Sequence, residues 1–573
     1  MKSVAADCLA DDRRRSAAST FRGLSVDWLQ SIVTSRGLRA SLPQQDAPDL
    51  YHRCDYRSAS VPVSGTADRP CRPSPARSSS AAHRSQSNLT SYSKSGNSTA
   101  DWVPCCLGPA AMLPQPVALW RTPGIVGDFF HINGLYDNDP AHFGNPGNGV
   151  DMVHWLKVAD QLRGGLLHVL NINATDQELV NEIEYLNSPV PPKPGADWTK
   201  TKWRFDQQAP EGYFAWLRGQ HGHPAPAGVR HVEIGNEIWN FYNDTDNRCK
   251  HDATCYGVQS AALIKKLKAK DPQLQVGVSI LTIGQGANKG YRAPRIYQGL
   301  AAAGTYPDFV FDHAYYNCGY TKEDAAQASY QAGYADVLLT AAATNRRELT
   351  AAFPACGNSI GMFFDEFGPQ ACAGNADRWE AFGYWETAAV AHVYAAGLHG
   401  GYTHVSYYNW NDGSDTGNDG LVYGEPGVVD ANFWGLWFAS KFVAGAVSEV
   451  ALEGAPAALR AFAVSSDKQL RVLLINTSAS APLQLSLSVN GRTSTAARAF
   501  RMDQSYATIA SVPAHRSGVP QKAPVASPVN IAAFTAAPLS TTLLEVDLAE
   551  GSAPRAAPAG SGCTAAPSRH GAP

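Results

Sequence analysis

Between residues 116 and 447, short apolar runs alternate with helical stretches, and no other feature constrains the fold as much. Strands are expected at 116–124, 165–173, 231–237, 274–280, 309–316, 360–368 and 402–410. The runs between them include 149–164, 176–187, 258–272, 322–352 and 376–399, with apolar residues recurring at the three-to-four spacing of helices, and 433–447 follows the last strand. Asp176 is the expected cap of the second helix. Strands apolar on both faces and alternating with helices form a parallel sheet covered on both sides. Seven such units match strands 2 to 8 of a (β/α)8 barrel. Strand 1 must precede residue 116, and FRGLSVDW at 21–28 is the candidate.

After 448 the period changes to two, in LRAFAVSS, LRVLLINTS, LQLSLSVNG and TTLLEVDLA, with turn residues between the runs. The reading is an α/β chain: a (β/α)8 TIM barrel over 116–445, then a small C-terminal antiparallel β-sandwich over 446–550. The tail, 551–573, is rich in Ala, Pro, Ser and Gly and is expected to be disordered.

The first hundred residues read differently. They carry 14 Lys and Arg against 8 Asp and no Glu, so the overall charge of −3 hides a basic head on an acidic body. Twelve Ser fall within 60–100, where Val61, Val63 and Leu89 are the only aliphatics besides Ala. Such a stretch buries too little apolar surface to offset its ordering entropy, and 1–115 is read as low-complexity or wrongly assigned sequence. The balanced net charge gives no sign of a nucleic-acid surface. No run of about 18 apolar residues is present to span a membrane.

No apolar leader core is legible at the N-terminus. Five N-x-S/T sequons, at Asn88, Asn97, Asn173, Asn243 and Asn476, and a compact loop between Cys249 and Cys255 nonetheless fit a secretory chain. That spacing suits a disulfide. The expectation is a secreted or extracellular protein whose true start is missing or misassigned.

Chemistry in a barrel of this kind sits at the C-terminal ends of its strands. Arg121 falls at the end of the second strand, Asn236-Glu237 the fourth, His313 and Tyr315 the sixth, Asp365-Glu366 the seventh and Trp410 the eighth. Taken singly, each has a plain structural explanation. Together, two Glu on strands 4 and 7 face each other across the mouth, as glycoside hydrolysis with retention requires. One must stay protonated and the other ionised, and a neighbouring Arg and Tyr hydroxyl favour the second state.

VEIGNEIWN (232–240) resembles the acid/base motif of the clan A retaining glycoside hydrolases, and FFDEFG (363–368) resembles their nucleophile strand. The resemblance covers about 116–550 and is closest to the α-L-arabinofuranosidase families, with β-xylosidase-like and β-glucuronidase/heparanase-like families near. It implies Glu237 as proton donor and Glu366 as nucleophile. It further implies Asn236 on the sugar 2-hydroxyl, Tyr315 and Arg121 beside Glu366, His313 beside Glu237, and Trp410 under the sugar. Trp239, standing soon after the acid/base where the family usually has Pro, either forms a subsite platform or packs under the loop.

The expected partner is an oligo- or polysaccharide. No cofactor and no metal are expected: no His/Asp cluster has ligand spacing, no G-x-S-x-G follows a strand, and no phosphate loop is present. A catalytically idle carbohydrate-binding barrel is the competing reading.

Overall fold

The computed structural model describes residues 84–88, 110–115, 119–122, 156, 160, 165–238, 249, 252–280, 293–316, 329–369, 383–408, 421–423, 428–429, 431–478, 480–489, 494–503 and 522–549. Eight parallel strands run in chain order around one ring: β1 (Arg84–Asn88), β2 (Leu119–Thr122), β3 (Gly165–Leu170), β4 (His231–Ile234), β5 (Gln275–Ser279), β6 (Phe309–Tyr316), β7 (Gly361–Pro369) and β8 (His404–Tyr407). The ring closes because β1 pairs with β2 on one side and β8 on the other.

The expected strand at 21–28 lies outside the described residues. The place beside β2 and β8 is taken by RSQSN, inside the Ser-rich stretch whose composition carries no strand signal. Strand pairing is a backbone property, and a polar pentapeptide supplies the same N–H and C=O groups as an apolar one.

Helices cover the ring: α1 (Asp176–Asn187), α2 (Tyr213–Gln220), α3 (Ala253–Lys270), α4 (Ala293–Ala302), α5 (Ser329–Ala352), α6 (Gly383–His399) and α7 (Ala431–Phe442). The α1 cap is Thr175, not Asp176. The Thr175 hydroxyl accepts from the Glu178 N–H, and Asp176 and Glu178 sit in the first turn, where carboxylates favour the helix dipole. Asp252 caps α3 by accepting from the Thr254 and Cys255 N–H groups, and Lys268 and Lys270 occupy its last turn. Cys255, in the first turn of α3, forms a disulfide with Cys249, their Cα atoms 5.4 Å apart. Among the described residues no helix is long and apolar enough to cross a membrane.

The interior of the ring is layered. Leu119, Leu167, Phe309, Phe311 and Phe363 form a buried apolar floor. Phe309 and Phe363 stack with ring centres 3.9 Å apart, and His404 lies 4.0 Å from Phe363. One step further along β2, β6 and β7 the inward residues become charged, as Arg121, His313 and Asp365, so the polar cluster rests on an apolar base.

Short β9 (Val422–Tyr423) and β10 (Val428–Val429) precede α7, and after it come β11 (Ala446–Ser448), β12 (Leu459–Ser465), β13 (Gln469–Asn476), β14 (Leu483–Leu485), β15 (Ser494–Asp503), β16 (Ser527–Pro528), β17 (Phe534–Ala536) and β18 (Ser540–Leu548). Six of these make an antiparallel sheet in the order β11-β12-β13-β18-β15-β16, and β14 pairs with β17. One face of the six-stranded sheet, with Phe462, Val464, Leu473, Phe500 and Leu543, joins the barrel's apolar core. The other face, with Leu459, Val472, Leu544 and Val546, packs under Phe534 and Leu485 of the small ribbon. The expected antiparallel region is therefore present, with a second layer of two strands among the described residues.

Asn476, one of the five sequons, is fully buried. Its amide donates to the Ala481 and Ala537 carbonyls, so in the folded chain it is closed to glycosylation.

Glu545 of β18 ties this sheet to the barrel helices. It is almost fully buried, with Arg498 at 2.6 Å, Lys441 of α7 at 3.0 Å and Arg471 at 3.5 Å. Burial raises its pKa, but hydrogen bonds from Arg498 and Lys441 outweigh that and hold it below the ordinary value. Glu545→Ala leaves these cations without their shared anion. It should cost about 3 kcal/mol, read as a fall in the urea unfolding midpoint, while Arg498→Ala at the half-exposed rim should cost less than about 1 kcal/mol.

Candidate active site

Arg121 sits at the centre. In β2 the side chains alternate, so Leu119 enters the apolar floor, Trp120 packs outward against the helices, and Arg121 returns inward one layer above Leu119. Its guanidinium is fully buried and meets acceptors from two other strands. Nε donates to Glu233 Oε2 at 2.7 Å and lies 3.4 Å from Asp365 Oδ2. The terminal nitrogens donate to Asn236 Oδ1 at 2.7 Å and to Glu366 Oε2 at 3.2 Å.

Strand β4 supplies Glu233 and, just beyond its end, Asn236 and Glu237. Period-two alternation carries Glu233 inward and Ile234 outward. Gly235 then turns the chain at φ 75°, a left-handed conformation that suits a residue without Cβ. Its N–H donates to the Leu170 carbonyl at 2.9 Å, which anchors the turn to β3.

Strand β7 solves a different problem. Neighbouring residues of a regular strand face opposite ways, yet Asp365 and Glu366 both reach Arg121 and His313. The register explains it. Asp312 pairs with Phe364 while His313 pairs with Glu366, and on the other side the register slips again between Phe364 and Phe367. One extra residue in β7 forms a bulge, and the bulge turns two consecutive carboxylates to the interior.

His313 of β6 is buried between them. Its Nδ1 lies 2.9 Å from Glu366 Oε2 and 3.3 Å from Glu237 Oε1, and Nε2 lies 3.2 Å from Asp365 Oδ1. Burial works against its charge, but Glu366 and Asp365 more than offset it and hold its pKa well above the ordinary imidazole value. Burial likewise opposes the charge on Arg121, and Glu233, Asp365 and Glu366 more than restore it. Glu233 moves the other way: burial drives its carboxyl well above the usual range, Arg121 opposes this and Asp365 adds to it. Asp365 is held below its ordinary value despite burial, by His313 and by a hydrogen bond from Glu233.

The two expected catalytic carboxyls come together. One oxygen of Glu237 and one of Glu366 lie within 4.8 Å of each other, and a His313 nitrogen is within the same distance of both. Their settings differ. The Glu366 side chain is 5% exposed and bound by Arg121 and His313, whereas Glu237 is 17% exposed at the rim. Three donors at this spacing can also meet a divalent ion. Ligation through His313 requires its neutral imidazole and would compete with the proton that Glu366 and Asp365 favour.

Arg121, Asn236, Glu237, His313 and Glu366 thus converge. Of Tyr315 only the backbone is described, in register with Gly368 of β7. Trp239 and Trp410 lie outside the described residues. Sequence reading missed Glu233 and gave Asp365 no role. The available signal was an acidic residue inside an apolar strand, in HVEI, where an unpartnered charge would be costly.

No protein-family model matches the sequence, and neither does any curated protein. Solved structures do match in fold. An α-L-arabinofuranosidase from Thermotoga maritima, in complex with arabinose, is similar over 81% of this chain and 96% of its own, with a TM-score of 0.60 at 15% identity. A family 51 α-L-arabinofuranosidase from Bifidobacterium longum gives a TM-score of 0.60 at 16% identity, over 81% and 95% of the two chains. The family 51 enzyme of Thermotoga petrophila gives 0.58 at 14% identity, over 81% and 96%. At such identities the likeness establishes a shared fold, a barrel followed by a β-domain.

The charge on His313 has a consequence for pH. Because its native pKa lies above the unfolded value of about 6.5, its stabilisation is complete below that value and is lost as pH rises through the native one. The melting temperature of the parent protein should therefore fall on the alkaline side by more than that of His313→Gln, as measured by calorimetry across a pH series.

Proposed function

We propose that this chain is a retaining O-glycoside hydrolase of the α-L-arabinofuranosidase type, acting on cell-wall or extracellular polysaccharide. The observation that carries the reading is the pair Glu237, just beyond β4, and Glu366, in β7, with oxygens within 4.8 Å and unlike surroundings. A short separation fits direct attack by a carboxylate, whereas an inverting enzyme spaces its carboxyls wider to admit water.

In this reading Glu366 attacks the anomeric carbon and Glu237 protonates the departing oxygen. Water then enters with Glu237 as base and releases the sugar with its configuration retained. Arg121 and His313 both engage Glu366 Oε2, so the attack is assigned to Oε1. Two cations hold the nucleophile ionised. Arg121 also fixes the amide of Asn236, which is assigned to the sugar 2-hydroxyl. Tyr315 is assigned to Glu366, Trp410 to the sugar face and Trp239 to a neighbouring subsite, all from the family resemblance. The arabinofuranosidase preference rests on the Gly-Asn-Glu motif and on the likeness in fold. Secretion rests on the Cys249–Cys255 bridge and on the sequons other than Asn476.

A panel of p-nitrophenyl sugars tests the substrate, with turnover of the α-L-arabinofuranoside expected above that of the xyloside, glucuronide and glucoside. Glu366→Ala should lower kcat by at least about 10⁴-fold, with azide restoring turnover to an inverted glycosyl azide. Glu237→Ala should spare substrates with good leaving groups far more than natural ones. Saccharide binding without turnover of any of these would favour the idle binding barrel.

A further inference from the structure

Glu233 has no part in the double displacement, yet it is the closest acidic partner of the central guanidinium. Its geometry poses a problem of counting. Arg121 Nε carries one hydrogen. Glu233 Oε2 stands 2.7 Å from that nitrogen and Asp365 Oδ2 stands 3.4 Å from it. Both carboxyls are completely buried. Glu233 Oε1 is a buried acceptor with no hydrogen-bond donor among the described residues. The strands flanking β4 bring no charge at that level, because Val169 of β3 and Gly277 of β5 are the residues in register with Glu233. Among the described residues its titratable partners come from other strands: Arg121 from β2, His313 from β6 and Asp365 from β7.

Two carboxylates converging on one N–H leave an uncompensated buried charge, whereas one proton between them satisfies both. We propose that Glu233 works as a neutral carboxylic acid, donating from Oε1 to Asp365 and accepting from Arg121 at Oε2, and that this shared proton positions Arg121 and, through it, the anion of Glu366. Glu233 is then a positioning residue and touches no substrate. The raised proton affinity of Glu233 and the lowered one of Asp365 agree with the direction of donation. The charges also balance. Arg121 and His313 supply two positive charges and Asp365 and Glu366 two negative ones, so the site is neutral when Glu233 and the acid Glu237 are both protonated. That last step rests on the proposed function; the pairing of Glu233 with Asp365 does not.

Substitutions separate a neutral Glu233 from an anionic one. Glu233→Gln keeps an acceptor for Arg121 and a donor for Asp365 while removing any charge. Glu233→Ala should lower kcat roughly 100-fold by releasing Arg121. Glu233→Gln should recover kcat to within about threefold of the parent, with an unchanged pH–rate profile. Asp365→Asn, which removes the true anion, should be at least about tenfold worse than Glu233→Gln. If Glu233→Gln is as damaged as Glu233→Ala, or shifts the acid limb, Glu233 is an anion and the proposal is overturned. A second readout needs no activity. In a Glu237→Gln background, infrared spectra of protein carrying ¹³C-labelled Glu should show a protonated carboxyl band at neutral pH. Absence of the band overturns the proposal. Its presence in that background, together with its loss when Glu233→Gln is added, supports the proposal even in a protein that hydrolyses none of the test sugars.

Discussion

A guanidinium with no access to water is the constraint around which this barrel is arranged. Arg121 cannot lose its proton and cannot be solvated, so its charge must be met by groups the fold itself delivers. The chain delivers them from two strands far away in sequence, Glu233 and Asn236 from β4, Asp365 and Glu366 from β7. Each of these is itself buried and would be expensive without Arg121. The cluster is therefore cooperative: every charged member justifies the burial of the others, and none can be removed without stranding a partner. The same arrangement holds Glu366 through Oε2 and leaves Oε1 for the proposed attack.

Two backbone departures make this geometry accessible. A regular β4 would send Asn236 and Glu237 onward in alternation with Glu233. The left-handed turn at Gly235 breaks that alternation and sets Asn236 back toward Arg121 while Glu237 stays at the rim. A regular β7 would place one of Asp365 and Glu366 against the outer helices, among apolar side chains. The bulge directs both inward. Irregularity appears where four carboxyls, an imidazole and a guanidinium have to meet, and the rest of each strand keeps its period of two.

Periodicity was legible wherever burial was two-sided. GLLHVL, QVGVS and FVFDHAYY need no context to be read as interior parallel strands, and β3, β5 and β6 form there. The strand-end residues Arg121, Asn236, Glu237, His313 and Glu366 were legible because they interrupt apolar runs at positions where a barrel exposes its mouth. Other features were hidden for physical reasons. The helix α2, YFAWLRGQ, starts after a left-handed Gly212 with no side-chain cap, and aromatic residues dominate its first turn, so neither a capping signal nor a polar face announces it. The α1 cap was misplaced by one residue because Thr175 and Asp176 both qualify and only the backbone decides. Residues 84–88 carry no strand signal, since their place depends on what β2 and β8 offer rather than on their own side chains. Glu233 escaped notice because a sequence shows an acidic residue in a strand but not the guanidinium it will meet, 112 positions away.

The layering of the barrel gives these charges their effect. Below Arg121 lie Leu119, Leu167 and the stacked Phe309 and Phe363, an apolar floor with the His404 ring against Phe363. Above it stands Glu237, partly exposed at the rim. Charges placed against such a base interact more strongly than they would in water. In the proposed reaction a developing positive charge at the rim would meet anions already oriented by the fold rather than reorienting solvent. In this respect the apolar floor and the charged layer form one device. Phe309 and Phe363, by lowering the polarity beneath the charged layer, strengthen the contacts of Arg121 and His313 with Glu366, and the proposed double displacement draws on the resulting contrast between the two carboxyls.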